Sequence, residues 1–178
     1  PPEFLLTHPL SSSRISDAFN AAENISDVGT KSDSLEYSLM RARLEVYYEV
    51  IPSNSLRLFQ AKFDKNPNDA NTYGLALAHQ KNNNYEESVK LLEKLIKKYP
   101  KNLVINTTKV DVLTAFGNYN DAIELVDKFL EISPKNYPLS ISKSKLLLAM
   151  KSYFESEEII RDQLLRKNDD PELWLLLS

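Results

Sequence analysis

The chain has 178 residues, enough to bury a sizeable core, and its 22 Lys and Arg against 25 Asp and Glu leave a formal charge of −3. With the two signs interspersed, that balance argues against a protein that holds nucleic acid by bulk electrostatics. The absence of cysteine excludes disulfides and thiolate chemistry. No apolar run of about 18 residues is present to span a bilayer, and three glycines with few β-branched alternations argue against a sheet.

Residues 1 to 10 hold Pro1, Pro2 and Pro9. Proline removes donors and restricts its predecessor, so this stretch reads as a loop. From Ser13 to Asn24 the apolar residues Ile15, Ala18, Phe19 and Ala22 recur at helical spacing, with Ser12 or Ser13 as the cap. Residues 25 to 33, with Gly29, read as a linker.

A different pattern then takes over. Tyr85, Ser88, Leu92 and Pro100 recur, all by the same step of about 34 residues, as Tyr119, Ala122, Val126 and Pro134. That step carried outward gives Ile51, Asn54, Leu58 and Asn66 on one side and Tyr153, Ser156, Ile160 and Asn168 on the other. Four units therefore tile residues 35–68, 69–102, 103–136 and 137–170, and a fifth, 171–178, stops within its first helix.

Within unit one, Asp33 with Glu36 reads as a capping box, the first helix runs to about Val50, and Ser53 caps a second helix reaching Lys65. In unit two Asp69 caps the first helix, which ends near Lys81. Asn82-Asn83-Asn84 turns the chain, and Asn84 with Glu87 caps the second helix, Tyr85 to Lys98. Unit three turns at Gly117-Asn118. Unit four carries Pro138 in a permitted first turn and Ser152 with Glu155 as its second cap. Two helices of about 12 to 14 residues plus two turns sum to one such period.

Ala42, Ala76, Val110 and Ser144, with Asn54, Ser88, Ala122 and Ser156, fall where paired helices must approach closely. Leu58, Leu92, Val126 and Ile160 fill the layer between units, each burial contributing about 1.5–3 kcal/mol. This resembles the tetratricopeptide repeat: an all-α, right-handed solenoid of antiparallel helix pairs, here preceded by a loop and one extra helix. Residues 1–33 and 34–178 form separate regions on this reading.

The words Pro1-Pro2-Glu3-Phe4-Leu5-Leu6-Thr7-His8-Pro9-Leu10 and Ser34-Leu35-Glu36-Tyr37-Ser38-Leu39-Met40-Arg41-Ala42-Arg43-Leu44 resemble the junction between catalytic domain and repeats in a family of bacterial periplasmic zinc metalloproteases, the β-barrel assembly-enhancing proteases. The resemblance implies a His-Glu-x-x-His zinc helix upstream, a periplasmic location, and an array that brings the protease to outer-membrane assembly clients. It also implies that His8 approaches the zinc of that protease domain as an extra ligand. His8 and His79 are the two histidines, and neither is followed by Glu, so this chain cannot build the hydrolytic centre and needs no cofactor of its own. The competing reading is a stand-alone tetratricopeptide adaptor.

First helices of such units line a concave groove suited to an extended partner segment. The expected lining is Leu39, Arg43, Val46 and Tyr47; Tyr73, Leu77, Gln80 and Lys81; Thr107, Asp111 and Thr114; Ile141, Lys145 and Leu148. His79 is expected to pack between helices. Arg41 and Arg43 do not share a helix face, and Lys94, Lys97, Lys98 and Lys101 read as a solvated helix end rather than an anion site. Trp174 is expected in the next unit's core. The apolar end Leu173 to Leu177 is expected either to pack back on unit four or to mediate self-association.

Overall fold

The computed structural model describes residues 33–178, and every regular element among them is a helix. In chain order these are α1 (Leu35–Tyr48), α2 (Pro52–Lys65), α3 (Asp69–Lys81), α4 (Tyr85–Lys98), α5 (Leu103–Phe116), α6 (Tyr119–Ile132), α7 (Tyr137–Ala149), α8 (Tyr153–Leu164) and α9 (Pro171–Leu177). Each helix packs on its sequence neighbour, apart from α1 and α2, whose principal contacts are both with α3. The result is a tetratricopeptide-like solenoid of helix pairs.

The repeat is set at the start of each first helix. Ser34, Asn68, Asn102, Asn136 and Asp170 stand one repeat step apart. Each places a side-chain oxygen on a backbone N–H of the first turn, at Tyr37, Asn71, Ile105, Leu139 and Glu172. One of the four orphan donors at every such terminus is thereby satisfied. The caps expected at Asp33 and Asp69 are displaced by their neighbours. Asp69 instead accepts from Lys98 and from the Tyr99 hydroxyl, each at 2.7 Å, and those bonds hold its carboxyl below the ordinary range despite partial burial.

Within units two to four, the turn between paired helices is a left-handed residue. Asn83, Gly117 and Lys151, spaced by the same step, have φ of 60°, 83° and 62°. Asn84, Asn118 and Ser152 each donate a backbone N–H 2.9 Å to the carbonyl five residues back, at His79, Leu113 and Leu147. This is the Schellman closure, which satisfies the late carbonyls of one helix while delivering the chain into the next. The side-chain caps expected at Asn84 and Ser152 are absent, because a backbone-driven turn already sets the entry; no capping bond forms there.

Unit one departs from this plan. Its turn, Glu49–Ile51, has no left-handed residue, and Pro52 rather than Ser53 opens α2 with no side-chain cap. Proline at the first helical position gives up only a donor that would be orphaned anyway. The first helix and turn taken together, residues 35–51, are one residue longer than their counterparts 69–84, 103–118 and 137–152, and the following connection, Asn66-Pro67-Asn68, is one shorter than Tyr99-Pro100-Lys101-Asn102. The repeat period survives, but α2 is displaced by one residue within it. Ser55 and Phe59 therefore occupy the small and layer-filling positions, at 0% and 1% exposure, and Leu58 is left 43% exposed. That corrects the assignment of Asn54 and Leu58.

Elsewhere the close-approach positions are filled as expected: Ala42, Ala76, Val110, Ser144, Ser88, Ala122 and Ser156 are all buried. The Ser144 and Ser156 hydroxyls meet at 2.7 Å across the α7–α8 pair. Leu92, Val126 and Ile160 are buried between units. Gly74 faces the Phe59 ring so closely that a Cβ there would lie 2.0 Å from Cε1. At the far end Leu173, not Trp174, is the buried residue; it packs back on Ile160 and Leu164 of unit four. Trp174 is half exposed and donates from Nε1 to the Asn168 carbonyl.

Candidate partner-binding groove

A groove of about 520 Å³ lies along the first helices of units one to three. Position nine of each unit supplies Arg43, Leu77 and Asp111, and positions twelve and thirteen supply Val46, Tyr47, Gln80 and Lys81. These seven expected residues are joined by Thr108, Asn83, Tyr85 and Ala115, which were not among the expected lining. Tyr85 was legible as a repeat landmark, and Asn83 as the turn. Ala115 stands at position thirteen of unit three, the place of Tyr47 and Lys81, and was legible on that ground; nothing marked Thr108.

Position five behaves differently. Leu39, Tyr73, Thr107 and Ile141 are all buried and offer no surface to a partner. Tyr73 shows why, since its hydroxyl reaches both flanking first helices: Arg43 of α1 and Thr108 of α5. Thr107 returns its hydroxyl to the Leu103 carbonyl, and Ile141 packs on Ile160, Leu164 and Leu173. Thr114 is likewise turned back, onto the Val110 carbonyl. Lys145 lies outside this groove and pairs with Glu172 at 2.7 Å, and half-buried Leu148 lies outside it as well.

The groove's two cations are held in unlike ways. Lys81 donates from Nζ to the carbonyls of Val46 (2.6 Å), Tyr47 (3.2 Å) and Glu49, so a lysine of α3 closes the end of α1. That supplies what the missing left-handed residue of unit one would have supplied. Arg43, half buried, donates from Nε to the Tyr73 hydroxyl at 3.0 Å and from Nη2 to both that hydroxyl and Thr108 Oγ1, at 2.5 and 2.6 Å. Thr108 donates its own proton to the Val104 carbonyl, which leaves the Tyr73 hydroxyl to donate to Thr108 Oγ1 while both accept from Arg43. Asp111 stands further along. Burial pushes its carboxyl above the ordinary range, against the pull of Arg43, Lys145 and the Ser142 hydroxyl at 3.2 Å.

His79, expected to pack between helices, is half buried on α3. Its Nδ1 has no hydrogen-bond partner among the described residues, and burial holds its imidazole below the ordinary value while Glu87 opposes that shift. Among the described residues no three of His, Cys, Asp and Glu cluster in a way that fits a metal ion, and no described helix is long and apolar enough to cross a membrane. His8 lies outside the described residues, as do the expected loop and the helix from Ser13 to Asn24.

Capped first helices at a constant step, a small residue at each close approach and a lined inner face define a tetratricopeptide array. Models of the tetratricopeptide repeat match residues 70–102 and 113–178, more than half of the chain, which belongs to that family. Among curated proteins it is similar to the beta-barrel assembly-enhancing proteases of Escherichia coli (strain K12) and Shigella flexneri, each 36% identical over 106 residues. The match takes in 57% of this chain and 21% of either relative, so the chain spans about a fifth of the proteins it resembles. Tetratricopeptide repeats make this a protein-interaction module.

Proposed function

We propose that the array docks client proteins, or components of the outer-membrane protein assembly machinery, for a periplasmic zinc metalloprotease. The groove between α1, α3 and α5 is the docking face. The observation that carries this is the groove itself: an open trough with an apolar floor at Val46 and Leu77, an exposed tyrosine at its rim and polar groups spaced along it. Such a surface takes an extended segment, with main-chain groups on the amides and side chains on the floor. The protease parent is supported by the likeness to the assembly-enhancing proteases. In that parent, His8 and a zinc helix supplied from outside this chain belong to the catalytic end; the repeats supply binding and no chemistry.

A photo-crosslinking side chain at Tyr47, which is 73% exposed on the groove rim, tests the docking face in the full-length protein. The expected result is a discrete protein adduct that a second probe at exposed Glu124 of α6 does not give. Equal labelling from both positions contradicts the proposal. A stand-alone adaptor is separated from a protease arm by the reading frame upstream of Pro1, where the proposal requires His-Glu-x-x-His.

A further inference from the structure

We propose that the groove selects an acidic side chain inside an extended partner segment and seats it on Arg43, with an apolar or aromatic residue two positions away on Tyr47. The inference rests on the groove being the docking face and names what that face reads.

Its first support is a contrast among arginines. Arg41, Arg161 and Arg166 are exposed, and each has a carboxylate four residues away, at Glu45, Glu157 and Asp162, while Arg57, exposed and solvated, donates to Asn54 Oδ1. Pairing there contributes little, since water screens the charges. Arg43 is half buried, and among the described residues no carboxylate lies within 4.0 Å of it, the buried Asp111 carboxyl further along the groove feeling its charge only from a greater distance. Three of its hydrogen bonds go to neutral hydroxyls and use only Nε and Nη2. The Nη1 edge has no partner among the described residues. A guanidinium held on one edge and open on the other is pre-organised for a charge-assisted bond from an incoming carboxylate.

Lys81 does not compete for that anion, because its ammonium is committed to the three carbonyls at the end of α1. The Gln80 side-chain amide makes no bond among the described residues and lines the same trough, where it can take main-chain groups of the segment. Spacing then fixes the second residue. Arg43 and Tyr47 are one turn apart on α1, about 6 Å along the axis, and alternate residues of an extended chain stand about 6.6–6.8 Å apart on one side. A carboxylate carried on a side chain reaches down to half-buried Arg43 while the main chain stays at the rim. A chain-terminal carboxylate, lying on the main-chain axis, does not.

The test uses the purified 178-residue chain and short fluorescein-labelled Gly/Ser peptides with both ends blocked, carrying Asp-x-Phe or Asn-x-Phe, and a third with no acid but a free terminal carboxylate after Phe. The Asp peptide is expected to bind roughly tenfold tighter than the Asn peptide, a preference lost in Arg43→Gln and weakened by salt. Circular dichroism melts of Arg43→Gln, with Arg43→Lys retaining part of the preference, separate lost recognition from lost folding. Equal binding of Asp and Asn peptides overturns the proposal, as does a preference that persists in folded Arg43→Gln or a free-carboxylate peptide that binds best. If the two blocked peptides bind equally and both are lost in Leu77→Asp, the docking face stands and only its acidic selectivity falls. Binding of none of the three overturns both.

Discussion

Units two to four each pack a first helix on its own partner, whereas both helices of unit one pack chiefly on α3, and the turn between helices is solved differently in the two regions. In the later units a single left-handed residue closes the first helix and starts the second, so each pair is self-contained. In unit one that residue is missing. Its first helix is closed by Lys81 from the next unit, and its second helix is moved by one residue so that Phe59, packed on Gly74 of α3, does the work of Leu92, Val126 and Ile160. Unit one therefore depends on unit two in a way that the others do not depend on their successors. The groove is built along that dependent junction.

The displacement of α2 gives the largest expected effect. Phe59→Ala should cost about 3–5 kcal/mol in chemical denaturation, whereas Leu58→Ala should cost about 1 kcal/mol or less. The opposite ranking would restore the unshifted register. Gly74→Ala, which drives a methyl into the Phe59 ring, should cost roughly 1–3 kcal/mol. The double variant with Phe59→Leu should recover part of that loss, measured as a coupling energy in a double-mutant cycle.

Lys81→Met should follow at about 1–2 kcal/mol, because three carbonyls lose a charged donor. Amide exchange should rise at the end of α1 and not at the end of α5, where Gly117 closes the helix without help. An unchanged exchange pattern would mean that unit one needs no support from its neighbour.

Substitutions at the left-handed turns should be smaller and of opposite sign. Lys151 adopts φ of 62°, which costs a side chain about 1 kcal/mol that glycine is spared. Lys151→Gly should raise the melting temperature, and Gly117→Ala should lower it by a similar free energy. At Gly117 a Cβ would meet nothing within 4 Å, so any loss there reports backbone strain alone.

The period, the repeat helices and the buried small positions outside α2 were legible in the sequence, because each depends on residue type at a fixed spacing. What was not legible turned on single-residue choices. Asp33 and Ser34, or Asn68 and Asp69, are adjacent residues that can both cap, and only the periodic series through Asn102, Asn136 and Asp170 separates them. Leu58 and Phe59 are both apolar and adjacent, so a fixed step selects the wrong one once the stretch ahead of α2 gains a residue. Of the expected lining, the residues at positions nine, twelve and thirteen of units one and two, and Asp111, lie along the trough, and whether they bind a partner is what the crosslinking and peptide experiments test. The expectation failed at position five because first helices stand close enough for Tyr73 to touch both neighbours, a tertiary fact with no local signature.

The smallest effect expected is that of Asp111. Burial raises its carboxyl above the ordinary range, so its ionisation penalises the folded array, and stability falls as pH climbs from about 4 through the raised value. Arg43, Lys145 and the Ser142 hydroxyl face the group and oppose the shift, while Glu172 adds to it. Asp111→Asn should be the more stable protein at neutral pH, and the two should converge below about pH 4. A variant equally stable across that window would show that Asp111 keeps an ordinary pKa in the fold.

The direct test of the account is methyl NMR of the 178-residue chain titrated with the blocked Asp-x-Phe peptide. The account predicts shifts confined to Val46, Leu77 and Ala115, which line the groove, while exposed Ile132 and Leu165 stay put. Perturbation at Ile132 or Leu165 with Val46 and Leu77 unmoved would contradict it.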